Sequence, residues 1–177
     1  MILFTSDNGG FEKYSSKIHY GGKYAHPKLG DNGPLRGWKG ELYEGGVRVP
    51  AFVYWKGKLQ PAEAPEVISM LDWYPTFAKL AGAEVPEKAK IEGRDVWPIL
   101  TRAREKPADP VLYWNVGNKQ AVMHGGLKLI VGAKQQEELY DLRNDPMEAT
   151  NIAATRTDDL AAMQKLLKKE RDLDPAK

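Results

Sequence analysis

The chain has no cysteine. Within these 177 residues that excludes disulfides, thiolate-bound metals and a cysteine nucleophile. No apolar run approaches the roughly 20 residues of a membrane-spanning helix, so no span is expected. Neither sign of charge is in excess: 26 Lys and Arg stand against 24 Asp and Glu, a net +2. A nucleic-acid partner calls for a basic patch or a recognisable module. Neither is present, because the C-terminal lysines fall on one predicted helix. Histidine is scarce, with three residues and no zinc-site spacing. Internal repeats and low-complexity segments are also lacking.

What the chain does have begins at "ILFTSDNGG", residues 2–10. Ile2, Leu3, Phe4 and Thr5 read as a short strand whose unbroken apolar run suits burial on both faces. Asp7 and Asn8 then sit at its carboxyl end, where open α/β sheets bind ligands. Both offer oxygen atoms, as hard cations such as Ca²⁺ or Mg²⁺ require. Asp, Asn and Gly are also common turn formers, so a plain polar turn is the competing reading.

Residues 11–50 are rich in glycine and aromatics, with little periodicity, and read as an ordered loop region. "VPAFVYW" (49–55) is a second buried strand, with Pro50 tolerated at its start. Over 69–83 the spacing of Leu71, Tyr74, Phe77, Ala78 and Ala81 predicts a helix, capped by Asp72 and ended by Gly82. "GRDVWPIL" (93–100) is a short closing segment, and the charged, proline-bearing stretch 101–110 places a domain boundary. Beyond it, "VLYWNV", "QAVMHG", "LKLIVG" and "EELYDL" recur as strand-like runs separated by turn residues, the pattern of an antiparallel meander. Residues 157–173 form an amphipathic helix, with Thr157 as its cap. Leu160, Met163 and Leu167 are its stripe against the sheet.

The second chemically informative stretch is "GWKGELYEGGVRVP" (37–50). Lys39 lies between glycine-flanked turns beside Trp38; held next to a metal site, it would be a fixed positive charge for an anion such as sulfate or phosphate. A solvated loop lysine is the plainer alternative. Glu44 and Arg48 read as an ion pair bracing the Gly45-Gly46 turn. His19 and His26 lie between the two motifs and are candidates for lining a substrate pocket, against the simpler reading of exposed loop histidines. His124, within the meander, reads as structural.

Together, "FTSDNGG" and "GWKGELYEGGVRVP" resemble the second half of the sulfatase family, in the alkaline-phosphatase-like superfold. "MLDWYPTFAKLAGA", "IEGRDVWPIL" and "ELYDLRNDPMEATNIA" extend the likeness along the chain. The resemblance implies an α/β fold: the remnant of a mostly parallel sheet domain over 1–105, then a small antiparallel sheet packed on a C-terminal helix over 106–177. It implies sulfate-ester hydrolysis, with Asp7 and Asn8 as ligands of Ca²⁺ (Mg²⁺ the alternative) and Lys39 contacting the sulfate. It also implies a sulfated substrate, a sulfated carbohydrate among the options, and a periplasmic or secreted location.

The family's nucleophile is a formylglycine made from Cys or Ser in a Cys/Ser-x-Pro-x-Arg motif. This chain has no cysteine, and none of Ser6, Ser15, Ser16 or Ser69 is followed by that pattern. The family's paired metal aspartates on an upstream strand are missing as well. The expectation is therefore the C-terminal portion of a sulfatase, inactive alone, with an unpaired sheet edge and an apolar face that favour a homo-oligomer or a partner chain. A phosphodiesterase or phosphonate hydrolase of the same superfold, and a non-catalytic binding module, are the other readings.

Overall fold

The structure, a computed structural model, describes residues 1–11, 30–86 and 88–174. The chain divides into two compact units, one formed by residues 1–2 with 53–112 and the other by residues 3–52 with 113–177. Helices and sheets are mixed in the α/β manner expected.

The expected meander forms β3 (Leu112–Val116), β4 (Lys119–His124), β5 (Leu127–Val131) and β6 (Glu137–Asp141), side by side in that order. β5 runs antiparallel to both β4 and β6, with Leu129 opposite Val122 on one side and Leu139 on the other. The β4–β5 link is the two-residue turn Gly125-Gly126, with φ of 58° and 82°. Two successive positive φ values suit a turn whose twist matches the strands, and glycine adopts them without a Cβ penalty.

β5 is the central strand, and its alternation sends side chains to two covered faces. Leu129 and Val131 join Val122, Leu139, Met163 and Leu167 in one core beneath the C-terminal helix, Thr157–Leu173. Leu160 packs against the same cluster, so the expected stripe meets the sheet. Thr157 is the first helical residue, not the cap expected; the cap position is Arg156, whose side chain makes no capping bond. Arg156 flanks the helix instead, with Nε 2.5 Å from Asp159 and a nitrogen 3.2 Å from Asp141. On the opposite sheet face, Ala121, Ile130 and Tyr140 pack with Leu42, from the loop region ahead of residue 50.

β1 (Ile2–Thr5) and β2 (Ala51–Tyr54) pair with each other in a two-stranded sheet. Phe4 and Phe52 stack at 5.2 Å yet remain 54% and 55% exposed, and Ile2 and Tyr54 are equally open. The double-sided burial expected of these strands is thus incomplete here. Among the described residues no third strand joins this sheet, so their apolar side chains remain in solvent.

The helix expected over 69–83 spans Trp73–Leu80, preceded by a 3₁₀ turn at Met70–Asp72. Ser69, not Asp72, supplies the cap at the head of the 3₁₀ turn. The buried Asp72 accepts from the Ser69 N–H at 2.8 Å and from the Arg94 N–H at 2.9 Å. Thr76 continues the staple, donating to the Asp72 carbonyl at 2.6 Å and accepting from the Val96 N–H at 2.9 Å. The helix accordingly buries Asp72, Trp73 and Thr76, leaving Leu71, Tyr74 and Phe77 exposed. Apolar periodicity identified a helix, but polar anchoring to residues 93–96 chose which side is covered.

Candidate active-site loops

Two glycine-bearing loops meet in the unit formed by residues 3–52 and 113–177. The Gly9 N–H donates to the Gly46 carbonyl at 3.0 Å, and the Lys39 N–H donates to the Gly10 carbonyl at 2.9 Å. These two bonds bring the Asp7-Asn8 turn and the Lys39 loop side by side at the backbone. The approach leaves no room for side chains: a β-carbon on Gly9 would stand 1.8 Å from the Gly45 carbonyl oxygen. One on Gly45 would stand 2.3 Å from the Gly37 carbonyl oxygen. Close backbone packing, more than the turn itself, is the reason for glycine at Gly9 and Gly45.

Asn32 is a further member that the sequence did not single out. Its side-chain oxygen accepts from the Gly10 N–H at 2.7 Å and its amide donates to the Gly37 carbonyl at 2.9 Å. One side chain thereby ties the first loop to the start of the second. The Glu41 carboxylate closes the Lys39 turn by accepting from the Trp38 N–H at 2.9 Å.

Within this frame Asp7 and Lys39 are exposed and Asn8 is half-buried. Among the described residues no hydrogen bond or ion pair engages these three side chains, whereas the N–H groups of Gly9, Gly10, Trp38 and Lys39 beside them are all bonded. His19 and His26 lie outside the described residues. His124 is exposed on β4.

The loop that carries Lys39 ends in a one-turn helix, Glu44–Val47, where the sequence suggested only a glycine turn. Glu44 and Arg48 approach at 3.8 Å, but the main partner of Glu44 is Lys128, at 2.9 Å. Lys128 also lies 3.0 Å from Glu148, and the Glu44 N–H donates to Glu148 at 2.6 Å. The Lys128 and Glu148 side chains are 0% exposed and that of Glu44 7%. Burial pushes the Glu148 carboxyl above its ordinary range, against the opposing pull of Lys128 and the Glu44 N–H.

The start of the loop is held as firmly. Arg36 donates to the Tyr140 hydroxyl at 2.8 Å and the Glu148 carbonyl at 3.0 Å, and its guanidinium lies 3.8 Å from the centre of the Tyr43 ring. Tyr43 and Tyr140 both bond to the Glu138 carboxylate. Burial, reinforced by that carboxylate, pushes the Tyr43 hydroxyl up to about 12 and drives Tyr140 upward as well. One sequence signal for this cluster existed: Lys128 shares the strand face of Ile130, a core position that a lone lysine does not occupy unpaired.

The chemistry of the donor set limits what this chain holds by itself. Asp7 and Asn8 provide two oxygen-bearing side chains, where Ca²⁺ takes six to eight oxygen ligands. Among the described residues no group of three or more His, Cys, Asp or Glu is placed to hold a metal. Two such side chains fall short of the oxygen shell that Ca²⁺ takes.

Comparison with known proteins locates these loops in a wider family. The family described as N-sulphoglucosamine sulphohydrolase, C-terminal matches residues 37–173. The steryl-sulfatase of Mus musculus is 42% identical over 101 residues, covering 56% of this chain and 15% of that protein. The arylsulfatase A of Homo sapiens is 30% identical over 207 residues, covering 99% of this chain and 38% of that protein. Among solved structures, Ps i-CgsB superimposes with a TM-score of 0.79 at 29% identity, covering 95% of this chain and 35% of that one. That protein has also been crystallised in complex with k-i-k-neocarrahexaose. The chain thus spans well under half the length of each of these relatives.

Proposed function

Because this chain belongs to the sulfatase family, through its C-terminal N-sulphoglucosamine sulphohydrolase region, we propose that it is the C-terminal part of a sulfate-ester hydrolase. In this reading Asp7 and Asn8 contribute two oxygen ligands to a divalent-cation site, Ca²⁺ before Mg²⁺, and the Lys39 ammonium binds the sulfate group. The remaining ligands and the formylglycine nucleophile come from outside the described residues, and the chain alone does not turn over substrate. A sulfated carbohydrate is the substrate class the reading favours.

One observation carries it: the Lys39 N–H to Gly10 carbonyl bond, 2.9 Å long. It joins residues 29 positions apart in sequence, while among the described residues the side chains of Asp7, Asn8 and Lys39 make no hydrogen bond or ion pair. A cationic group beside two oxygen ligands suits an anion that also contacts a metal.

The test is complementation. A segment bearing Cys/Ser-x-Pro-x-Arg and the upstream aspartates, with its formylglycine installed, is combined with this chain and assayed against an aryl sulfate and the matching aryl phosphate. Sulfate-ester turnover that requires both parts, and falls by about 10²-fold or more in Lys39→Ala, supports the reading. Turnover of the phosphate alone, or full activity in Lys39→Ala, refutes it.

A further inference from the structure

The buried cluster behind the loops is unusual chemistry for a fold core. Lys128 and Glu148 are wholly enclosed, and an ammonium flanked by two carboxylates is a poor source of stability because each charge is desolvated. Glu148 also adopts a positive φ of 55°, a left-handed conformation that glutamate rarely enters. Neither feature is needed to close the sheet, which has its own apolar core under the C-terminal helix.

From these observations we propose that Lys128 and Glu148 are positioning residues that fix the Lys39 loop against the Asp7-Asn8 turn, without touching substrate themselves. The geometry is a clamp on both ends of one loop. At its start, Arg36 is held by the Tyr140 hydroxyl and the Glu148 carbonyl. At its end, Glu44 is held by the Lys128 ammonium and, through its N–H, by the Glu148 carboxylate. The end of the loop is bonded to its start, Gly45 N–H to Arg36 carbonyl at 2.7 Å. The next residue, Gly46, accepts from Gly9 beside Asp7-Asn8. A charged network serves such a role because its partners are few and directional, so it specifies one register where apolar contact tolerates several. The left-handed backbone at Glu148 brings both its carbonyl and its carboxylate to the same loop, which accounts for a strained residue in a buried place.

This inference rests on the functional reading for its purpose, and its test separates the two. Amide hydrogen exchange is followed by NMR on the full chain for wild type, Lys128→Met and Glu148→Gln. Glu148→Gln keeps the shape and an oxygen acceptor for the Glu44 N–H, so a folded variant remains if Lys128→Met fails. The expected result is exchange about tenfold faster at Gly9, Lys39 and Gly45, with Val122 and Leu129 in the sheet unchanged. Uniform acceleration across loop and sheet would show a merely structural role and overturn the proposal, as would unchanged loop amides in both variants. A parallel titration with inorganic sulfate, read at the Lys39 side chain, bears on the anion-binding reading alone.

Discussion

Gly9→Ala is the sharpest test of how the two loops are joined. The added β-carbon would lie 1.8 Å from the Gly45 carbonyl oxygen and 3.0 Å from the Gly46 Cα. Both neighbours are backbone, so no side chain can rotate aside. Ordinary contact begins at 3.4 Å, and the Asp7-Asn8 turn must therefore withdraw by roughly 1.6 Å. Overpacking of this kind costs about 1–3 kcal/mol. The Gly9 N–H to Gly46 carbonyl bond is lost with it, adding about 0.5–1.5 kcal/mol. The expected loss is then about 1.5–4.5 kcal/mol, measured by urea unfolding followed through tryptophan fluorescence. Gly132→Ala is the control, since its β-carbon would meet the Gln136 carbonyl oxygen at 3.6 Å and the Gln136 Cβ at 3.9 Å, both ordinary contacts. In a complemented enzyme, a displacement above about 1 Å should also cost about 10²-fold in turnover. A Gly9→Ala stability within about 0.5 kcal/mol of the Gly132→Ala control would refute the close-packing argument.

Four further outcomes are expected. Burial raises the Glu148 carboxyl above the usual 4.5, so the folded state holds that proton more tightly than the unfolded state and stability falls as pH rises from 4.5 through the raised value. The stability of wild type relative to Glu148→Gln should decline over that window in urea titrations at stepped pH. The Tyr43 hydroxyl, ordinarily near 10.0 and here about 12, contributes stability that is intact below pH 10 and lost as pH climbs through about 12. Tyrosinate absorbance should show one fewer late-titrating group in Tyr43→Phe, with Tyr140 still titrating late. Leu139→Ala removes a fully buried β6 side chain from the core shared with the C-terminal helix and should cost about 2–5 kcal/mol in calorimetry or urea unfolding. Asp72→Ala strips the acceptor from the Ser69 and Arg94 N–H groups and should cost about 2–4 kcal/mol, with faster hydrogen exchange confined to residues 69–80 and 94–96.

The local elements were legible because local chemistry specifies them. The four meander strands are alternating runs bounded by glycine, asparagine and glutamine, and the C-terminal helix has its apolar stripe at helical spacing. The short helix at Glu44–Val47 was not legible, because two adjacent glycines carry a weak helix signal. Its amides are satisfied by carbonyls of Arg36 and Tyr43, and by the Glu148 carboxylate. Which side of the Trp73–Leu80 helix is exposed was not legible, for a related reason. A periodic stripe says that a face is apolar, not what covers it.

The sequence by itself determined the two motifs, their residue chemistry and the family to which they point. It named Asp7, Asn8 and Lys39 as the residues to watch. Tertiary structure alone decided that the Lys39 loop is clamped by a lysine 84 residues from Glu44 and a glutamate 104 residues from it. Secondary structure follows from neighbours a few positions apart, so a single chain displays it. A buried ion cluster forms only where folding brings distant charges into one desolvated place, and no local pattern encodes that meeting.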